Sequence, residues 1–192
     1  MPGCLLSCFS FLPQFELTCA SFSQVRADFY IRDQNWQRCI SNEGNFQCSN
    51  LRHPHYEVLP IQRNGHCLFI CFVEILRERN VSGAPVTQQA MRCAIADYFD
   101  NHGGAVTYRE VRYPPDEAIR TNGYGGITEI IAFVTMYNIS VEVHAPETTS
   151  VQRFESPGAV PELLLQTLGW DDDGRRAIAG DHWQRLRKKG AA

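Results

Sequence analysis

Cys67 has the sequence context of a nucleophile. It follows Asn64-Gly65, a strong turn pair, and it begins a stretch whose apolar residues recur at three- and four-residue intervals. A thiol at the start of a helix lies beside backbone N–H groups that favour the thiolate over the thiol. The segment therefore predicts nucleophilic chemistry by Cys67.

A cysteine nucleophile needs a base, and the imidazole of histidine is the usual choice near neutral pH. The candidate is His182, far downstream in residues 180–184. A compact fold can bring the two together if a strand carrying His182 runs beside the helix that begins at Cys67. The chain contains 6 histidines and 8 cysteines, so spacing alone does not select this pair.

The composition is that of a soluble globular protein. The 192 residues are 44% hydrophobic and 20% charged, which suits one well-packed domain. A formal net charge of -3 and a pI near 6.1 give no strong drive toward nucleic acid. The short basic run at residues 185–189 is typical of a solvated tail or the flank of a final strand.

The start of the chain does not have the pattern of a membrane span. Residues 1–23 are apolar, but Pro13 and the polar residues after it interrupt the stretch, and spanning takes about 20 apolar residues in a row. A divergent signal peptide stays open as an alternative. Cys71 and Cys93 fall at apolar helical positions and are predicted to be core residues. A free catalytic thiol fits a reducing intracellular compartment, and we expect the cytoplasm.

Hydrophobic periodicity predicts a mixed α and β domain. Helices are expected over residues 67–79, between Pro85 and His102, over residues 127–135, and near residues 161–168. Strands are expected over residues 56–61, 139–144 and 182–186. We therefore expect a folded domain over residues 56–187, preceded by an irregular or partly disordered extension over residues 1–55 and followed by a basic tail over residues 188–192.

Three blocks of the sequence occur in an informative order. The first is residues 64–69 around Cys67, after a short strand. The second is residues 124–129, an aromatic residue and two glycines that lead into a Glu-containing helix and then a strand. The third is His182-Trp183 near the end. In this order, over residues 56–187, they resemble the ovarian tumour (OTU) family of cysteine deubiquitinases.

The resemblance implies a fold and a reaction. The fold would be an α/β (α+β) OTU-like cysteine protease fold, with helices packed on a small central β-sheet. Cys67 would be the nucleophile, His182 the general base, and N–H groups of residues 65–67 the oxyanion hole. The reaction would be isopeptide hydrolysis at the C-terminus of ubiquitin, polyubiquitin or a ubiquitin-like modifier. No metal or organic cofactor enters that scheme, and we expect a monomer.

The same resemblance implies a channel for the Gly-rich tail of the substrate. The candidate lining residues are Gly65, His66, Tyr124, Gly125, Gly126 and Trp183. His66, beside the nucleophile, could also take part in catalysis. In the alternative interpretation, the aromatic residues belong to the core and the glycines only form a turn.

Two positions depart from the family pattern. Asn64 stands where the family typically has Asp, three residues before the nucleophile, and Gln184 stands where it often has Asn or Asp, two residues after the base. An amide oxygen can accept the imidazole N–H, but it cannot stabilise imidazolium with a full charge. Either Asn64 or Gln184 could be the third catalytic residue. The alternative function is therefore a weak or inactive OTU-like module that binds ubiquitin.

A zinc site in the first third of the chain is a further hypothesis. Cys39, Cys48, His53 and His55 are residue types that zinc prefers in tetrahedral sets. Their spacing lacks the tight Cys-x-x-Cys knuckle that is typical of such sites. The sequence therefore favours a domain without a metal.

Overall fold

Helices and short strands make up the described part of the chain. The computed structural model describes residues 30–32, 34–35, 37–38, 51–62, 64–115, 119, 123–146, 149–167 and 182–190. The helices in these ranges are α1 (Cys67–Glu78), α2 (Gln88–Asn101) and α3 (Ile127–Tyr137). The strands are β1 (Tyr30–Arg32), β2 (Gln37–Arg38), β3 (Leu51–Arg52), β4 (Tyr56–Leu59), β5 (Val106–Tyr108), β6 (Val111–Tyr113), β7 (Val141–Ala145), β8 (Ser150–Phe154), β9 (Glu162–Thr167) and β10 (His182–Lys188). None of the helices in this part is long and apolar enough to cross a membrane.

Most of the described strands belong to one mixed sheet. Its order is β1-β8-β7-β9-β10-β4, with β7 and β9 parallel and the other neighbours antiparallel. β10 lies between β9 and β4, and His182, its first residue, pairs with Thr167. The predicted α/β architecture of helices on a small sheet is confirmed.

A hydrophobic core lies between the helices and one face of the sheet. The apolar stripe of α1 is fully buried at Leu68, Phe72 and Ile75. The Phe72 ring stacks on Phe133 of α3, with ring centroids 4.2 Å apart. Such an aromatic pair stabilises by about 0.5–1.5 kcal/mol beyond the burial of its area. The core therefore holds α1, and with it Cys67, firmly on the sheet.

The helix expected near residues 161–168 is wrong. Residues 162–167 form β9, which pairs with β7 on one side and β10 on the other. Its three consecutive leucines, residues 163–165, are all buried. A strand covered on both faces reads as a continuous apolar run, and periodicity does not distinguish such a run from a buried helix.

The segment before residue 56 contains strands in its described part. β1 pairs with β8 at the edge of the main sheet, and β2 pairs with β3. The expectation of irregular structure is wrong for these residues, because strands of two or three residues carry too little pattern to be read. At the other end, Lys188 closes β10, so the predicted basic tail begins within a strand. The domain boundaries themselves stay predictions.

The two cysteines predicted to be core residues differ. Cys71 is buried, as expected, whereas Cys93 is exposed. The buried residues of α2 are Met91, Arg92, Ile95, Ala96 and Phe99. Cys93 lies on the opposite face with Gln89 and Asp97, which are also exposed, because residues four apart share a helix face.

Arg185 ties β10 to the end of α1. Its guanidinium donates to both carboxylate oxygens of Glu78, at 2.6 and 2.8 Å, and to Glu162 on β9 at 3.4 Å. The residue is only 5% exposed, so the surface position expected from the basic run is wrong for Arg185. Since Cys67 begins α1 and His182 begins β10, this bidentate link helps to fix the two elements relative to each other.

We expect Arg185→Met to destabilise the fold at neutral pH, and less so in acid. Its hydrogen bonds hold the pKa of Glu78 below the ordinary value of 4.5. A carboxylate with a lowered folded pKa stabilises above its unfolded pKa and loses that contribution as pH falls through its folded pKa. Urea unfolding of wild type, Arg185→Met, Glu78→Gln and the double variant should give a coupling of about 1 kcal/mol at neutral pH, since Glu78 is largely exposed. A coupling that persists unchanged in acid would contradict this reading.

Candidate active site

Cys67 is the first residue of α1 and is only 2% exposed. A turn made by Asn64 precedes it: Asn64 Oδ1 accepts from the His66 N–H at 2.9 Å, and the Asn64 carbonyl accepts from the Cys67 N–H at 3.1 Å. Asparagine commonly closes a turn in this way through its own side chain. Asn64 therefore shapes the turn that holds the thiol, and a catalytic role for it stays a prediction.

The last strand brings the third sequence block to this thiol. The backbone N–H of Trp183 donates to Cys67 Sγ, with N and S 3.4 Å apart. The peptide that joins His182 to Trp183 therefore lies against the sulfur, although the two bonded residues are 116 positions apart in the chain. The fold thus places the His182 block beside the Cys67 block, as their order in the sequence predicts.

The electrostatics of Cys67 differ from the simplest sequence expectation. Burial raises the pKa of its thiol, and N–H donors from Trp183, Leu68 and Cys67 itself, together with the Arg92 cation, oppose that rise only in part. The N–H groups at the helix start do favour the thiolate, as expected, but burial outweighs them in this conformation. The resting group is the thiol, so the chemistry requires a base.

His182 and Gln184 lie on the same side of β10. Trp183 belongs to the core beneath the helices, and Leu186 belongs to the smaller cluster with Leu163 and Leu165 on the other face. Because alternate strand residues share a face, His182 and Gln184 lie on the Leu186 side. Both are buried, and Gln184 Oε1 accepts no hydrogen bond among the described residues. Gln184 therefore shares the side of His182, but no described hydrogen bond joins it to the imidazole, and whether Gln184 or Asn64 orients the base stays a prediction.

The second sequence block is held by Trp183. The indole N–H donates to the Gly125 carbonyl at 2.9 Å, and the Trp183 side chain is fully buried. Tyr124, by contrast, is 43% exposed. The Trp183 side chain is therefore a core residue that positions Gly125, as the alternative interpretation expects, and a place for it in a substrate channel stays a prediction. Tyr124 remains accessible to a substrate.

The start of α3 is fixed by its own carboxylate. Glu129 is buried and accepts from the Gly126 N–H at 2.7 Å. This is the reach-back half of a capping box, in which the residue at the third helical position satisfies the backbone at the cap. The two glycines therefore form a defined turn between the exposed Tyr124 and a buried helix.

Gly125 has no room for a side chain. A Cβ there would lie 2.8 Å from Leu68 Cδ2 and 2.9 Å from Phe69 Cε2, both in the first turn of α1. We therefore expect Gly125→Ala to destabilise the fold by about 1–3 kcal/mol through overpacking, measured by urea unfolding.

The control is Gly126→Ser, because a Cβ at Gly126 would lie 3.8 Å from its nearest neighbour, Glu129. Serine is also a good helix cap, so this variant should stay close to wild type. Equal unfolding midpoints for the two variants would show that the close approach at Gly125 does not constrain the fold.

Arg92 was not among the site residues predicted from the sequence. This α2 residue is fully buried, and it donates to His66 Nδ1 at 2.9 Å and to the Gly65 carbonyl. A signal was present: Arg92, Ile95, Ala96 and Phe99 occupy one apolar helical stripe, where a charged residue is anomalous.

The fold has been seen in solved structures. No protein-family model matches the sequence, and no curated protein matches it at a significant level. The viral OTU domain protease from Taggert virus aligns with 82% of this chain and 96% of its own, with a TM-score of 0.51 and 13% sequence identity. The chain has an OTU fold. Similarity extends to the Hazara virus OTU bound to ubiquitin, with a TM-score of 0.41, 15% identity and coverage of 80% of this chain and 94% of that chain. It also extends to an OTU domain in complex with ubiquitin, with a TM-score of 0.43, 13% identity and 70% of each chain covered.

Two of the four candidate zinc ligands, His53 and His55, lie in the described part of the chain. Cys39 and Cys48 lie outside the described residues. His53 and His55 are described, with ring centroids 5.7 Å apart. No group of three metal-binding side chains occurs within the described ranges. The zinc site stays a hypothesis that metal analysis of the purified protein would test.

Proposed function

We propose that the chain is a cysteine-type deubiquitinase that hydrolyses isopeptide bonds at the ubiquitin C-terminus. The observation that carries this is the 3.4 Å contact between the Trp183 N–H and Cys67 Sγ, which joins two of the three OTU-like blocks. The contact between the Trp183 indole and Gly125 adds the remaining block, residues 124–129. An OTU fold around these blocks supports the same function. A free catalytic thiol suits a reducing intracellular compartment, and we propose that the enzyme acts there.

The first half of the proposed reaction forms a thioester. The His182 imidazole takes the proton from the Cys67 thiol, and the sulfur attacks the carbonyl carbon of the terminal ubiquitin residue. The resulting imidazolium gives its proton to the departing lysine amine as the C–N bond breaks. The need for a base is pronounced here, because burial raises the pKa of the Cys67 thiol.

The second half releases ubiquitin. Water enters after the amine leaves, His182 takes one of its protons, and the oxygen attacks the thioester carbonyl. Breaking the C–S bond frees the ubiquitin carboxylic acid, which loses its proton to solvent, and the proton held by His182 returns to Cys67 Sγ. The substrate is a ubiquitin chain or conjugate, or a ubiquitin-like modifier; Cys67 and His182 supply the nucleophile and the base, and backbone N–H groups supply the oxyanion hole.

One observation favours the weak or inactive binding module as a second candidate. The N–H groups of His66 and Cys67, two of the proposed oxyanion donors, both bond to Asn64. At least one of these bonds must open before that N–H can reach a developing oxyanion. A chain that keeps both bonds closed would bind ubiquitin and cleave it slowly.

A ubiquitin probe with a C-terminal electrophile separates the two candidates. We expect wild type to form a covalent adduct, and peptide mapping by mass spectrometry to place it on Cys67 rather than on Cys71 or Cys93. Matched probes built on ubiquitin-like modifiers test the substrate class in parallel. Binding of ubiquitin without an adduct would support the inactive module, and neither binding nor an adduct would refute both candidates.

A further inference from the structure

Arg92 is a buried cation placed between the nucleophile turn, residues 64–67, and the backbone that leads to Tyr124. Its Nε–H donates to His66 Nδ1 at 2.9 Å, and one terminal nitrogen donates to the Ile119 carbonyl at 3.2 Å. The other terminal nitrogen donates to the carbonyls of Gly65 and Gly123, the latter at 2.6 Å. One rigid planar fork therefore joins two segments that are remote in sequence.

The guanidinium also contacts the first turn of α1. Its central carbon lies 4.0 Å from the centroid of the Phe69 ring, in cation–π geometry. The edge of the same ring, at Cε2, lies only 2.9 Å from the position that a Cβ on Gly125 would take. Arg92 therefore packs on Phe69, and Phe69 packs on Gly125. Displacement of the guanidinium would shift the Phe69 ring, which follows Cys67 in the chain, and the Gly65 carbonyl, which precedes it.

The bond to the Gly65 carbonyl sets the direction of a peptide. In a trans peptide the carbonyl and the following N–H point in opposite directions. Arg92 holds the Gly65 carbonyl, and Asn64 Oδ1 holds the His66 N–H at the other end of the same peptide unit. The orientation of the backbone immediately before the nucleophile is therefore determined from both ends.

The bond to His66 sets its protonation. A guanidinium nitrogen can only donate, so His66 Nδ1 must be an acceptor and the ring proton must lie on Nε2. Burial, and then the nearby Arg92 charge, lower the pKa of His66 below 6.5. His66 is therefore neutral at neutral pH, which keeps a second positive charge out of the turn.

Stability alone is a weak reason to bury this charge. Replacing a buried ionic group with a well-packed apolar one is often neutral or stabilising. Within the described residues the Glu129 carboxylate offers electrostatic compensation, whereas the neutral acceptors on Arg92 are backbone carbonyls and His66. The contacts of Arg92 converge on the segments that carry the candidate site.

We propose that Arg92 is a positioning residue for the Cys67 reaction: it locks the nucleophile turn against the backbone that leads to Tyr124. This inference rests on the proposed deubiquitinase function. Arg92 acts through Gly65 and His66, not through contact with the substrate. This role also accounts for an arginine at an apolar position of α2.

The kinetic test compares Arg92→Met, Arg92→Lys and a control, Arg79→Met. Arg79 also binds a carboxylate and a carbonyl, but at the opposite end of α1. With ubiquitin carrying a C-terminal fluorophore amide, Arg92→Met should lower kcat roughly 100-fold with little change in KM, because the reacting groups are misplaced while binding is kept. Arg92→Lys keeps the charge without the fork and should recover little, and Arg79→Met should resemble wild type. Rates are corrected for the folded fraction, and a folded Arg92→Met with wild-type kcat would overturn the proposal.

A second measurement needs no ubiquitin, and its first arm uses only the wild-type protein. In ¹⁵N NMR of wild type, His66 should carry its proton on Nε2 and titrate below 6.5. In folded Arg92→Met its pKa should rise toward the ordinary value, because the loss of the Arg92 charge removes one of the two causes that lower it. A wild-type His66 protonated on Nδ1 would overturn the proposal whatever the activity. Wild type that turns over no ubiquitin substrate, but shows the expected His66 signature, would refute the proposed function and leave the Arg92 arrangement in place.

Discussion

Replacing Cys67 with alanine should abolish cleavage of ubiquitin conjugates, with a loss in kcat/KM on the order of 10⁵-fold or more. The reaction passes through a thioester on this sulfur, and alanine offers no atom that could form it. Binding should survive, because Cys67 is only 2% exposed and contributes little surface to a partner. The measurement pairs steady-state cleavage with equilibrium binding of ubiquitin to the same variant.

The chain provides two matched controls for this variant. Cys71 lies one helical turn further along α1 and is fully buried, and Cys93 lies exposed on α2. Burial also raises the pKa of Cys71 well above its ordinary value, so it is a poor nucleophile. Cys71→Ala and Cys93→Ala should keep activity in proportion to their folded fraction. Cleavage that survives in Cys67→Ala would show that the nucleophile lies elsewhere.

The elements nearest the nucleophile could be predicted from the sequence because their signals are local. The Asn64-Gly65 turn and the apolar spacing that follows lie within a few residues of each other, and α1 begins at Cys67 as expected. α3 is similar, since its start follows the glycine pair directly. Turn chemistry and helical periodicity both act over one or two helical turns, so one sequence carries them in full.

The errors have the opposite cause, because each depends on distant partners. β9 was predicted to be a helix because its leucines are buried on both faces of the sheet, Leu164 beneath the helices and the other two in a smaller cluster with Leu186, which no local pattern reveals. The thiolate of Cys67 was predicted from the helix start alone, whereas the surrounding fold buries the sulfur and raises its pKa. Arg92 went unnoticed because its acceptors, such as the Gly65 carbonyl, are backbone atoms far away in the chain.

The pairing of Cys67 with His182 could be predicted only in part from the sequence. Residue types and spacing allowed many Cys–His pairs, and the order of three family-like blocks selected this one. The structure places the blocks together through main-chain and indole contacts of Trp183. Those contacts are set by sheet register, which is fixed by strand pairings that the sequence does not reveal.

The variant His182→Ala should lower the rate of labelling and cleavage by roughly 10²–10⁴-fold, the usual contribution of a general base. The reason is specific to this site: burial keeps Cys67 as a thiol at neutral pH, so little thiolate forms without a base. Raising the pH should therefore recover part of the activity of the variant, because hydroxide then removes the proton. The measurement is the pH dependence of adduct formation with the ubiquitin electrophile.

A graded series identifies how His182 is held. Gln184 lies on the same side of β10, and Gln184→Ala should slow the reaction only modestly, about 10-fold, since an amide orients imidazole without adding charge. Asn64→Ala should not mimic it, because Asn64 Oδ1 bonds the His66 N–H instead. If His182→Ala labels as fast as wild type, His182 is not the base. If Asn64→Ala, rather than Gln184→Ala, shifts the pH profile in the direction of His182→Ala, then Asn64 and not Gln184 orients the imidazole.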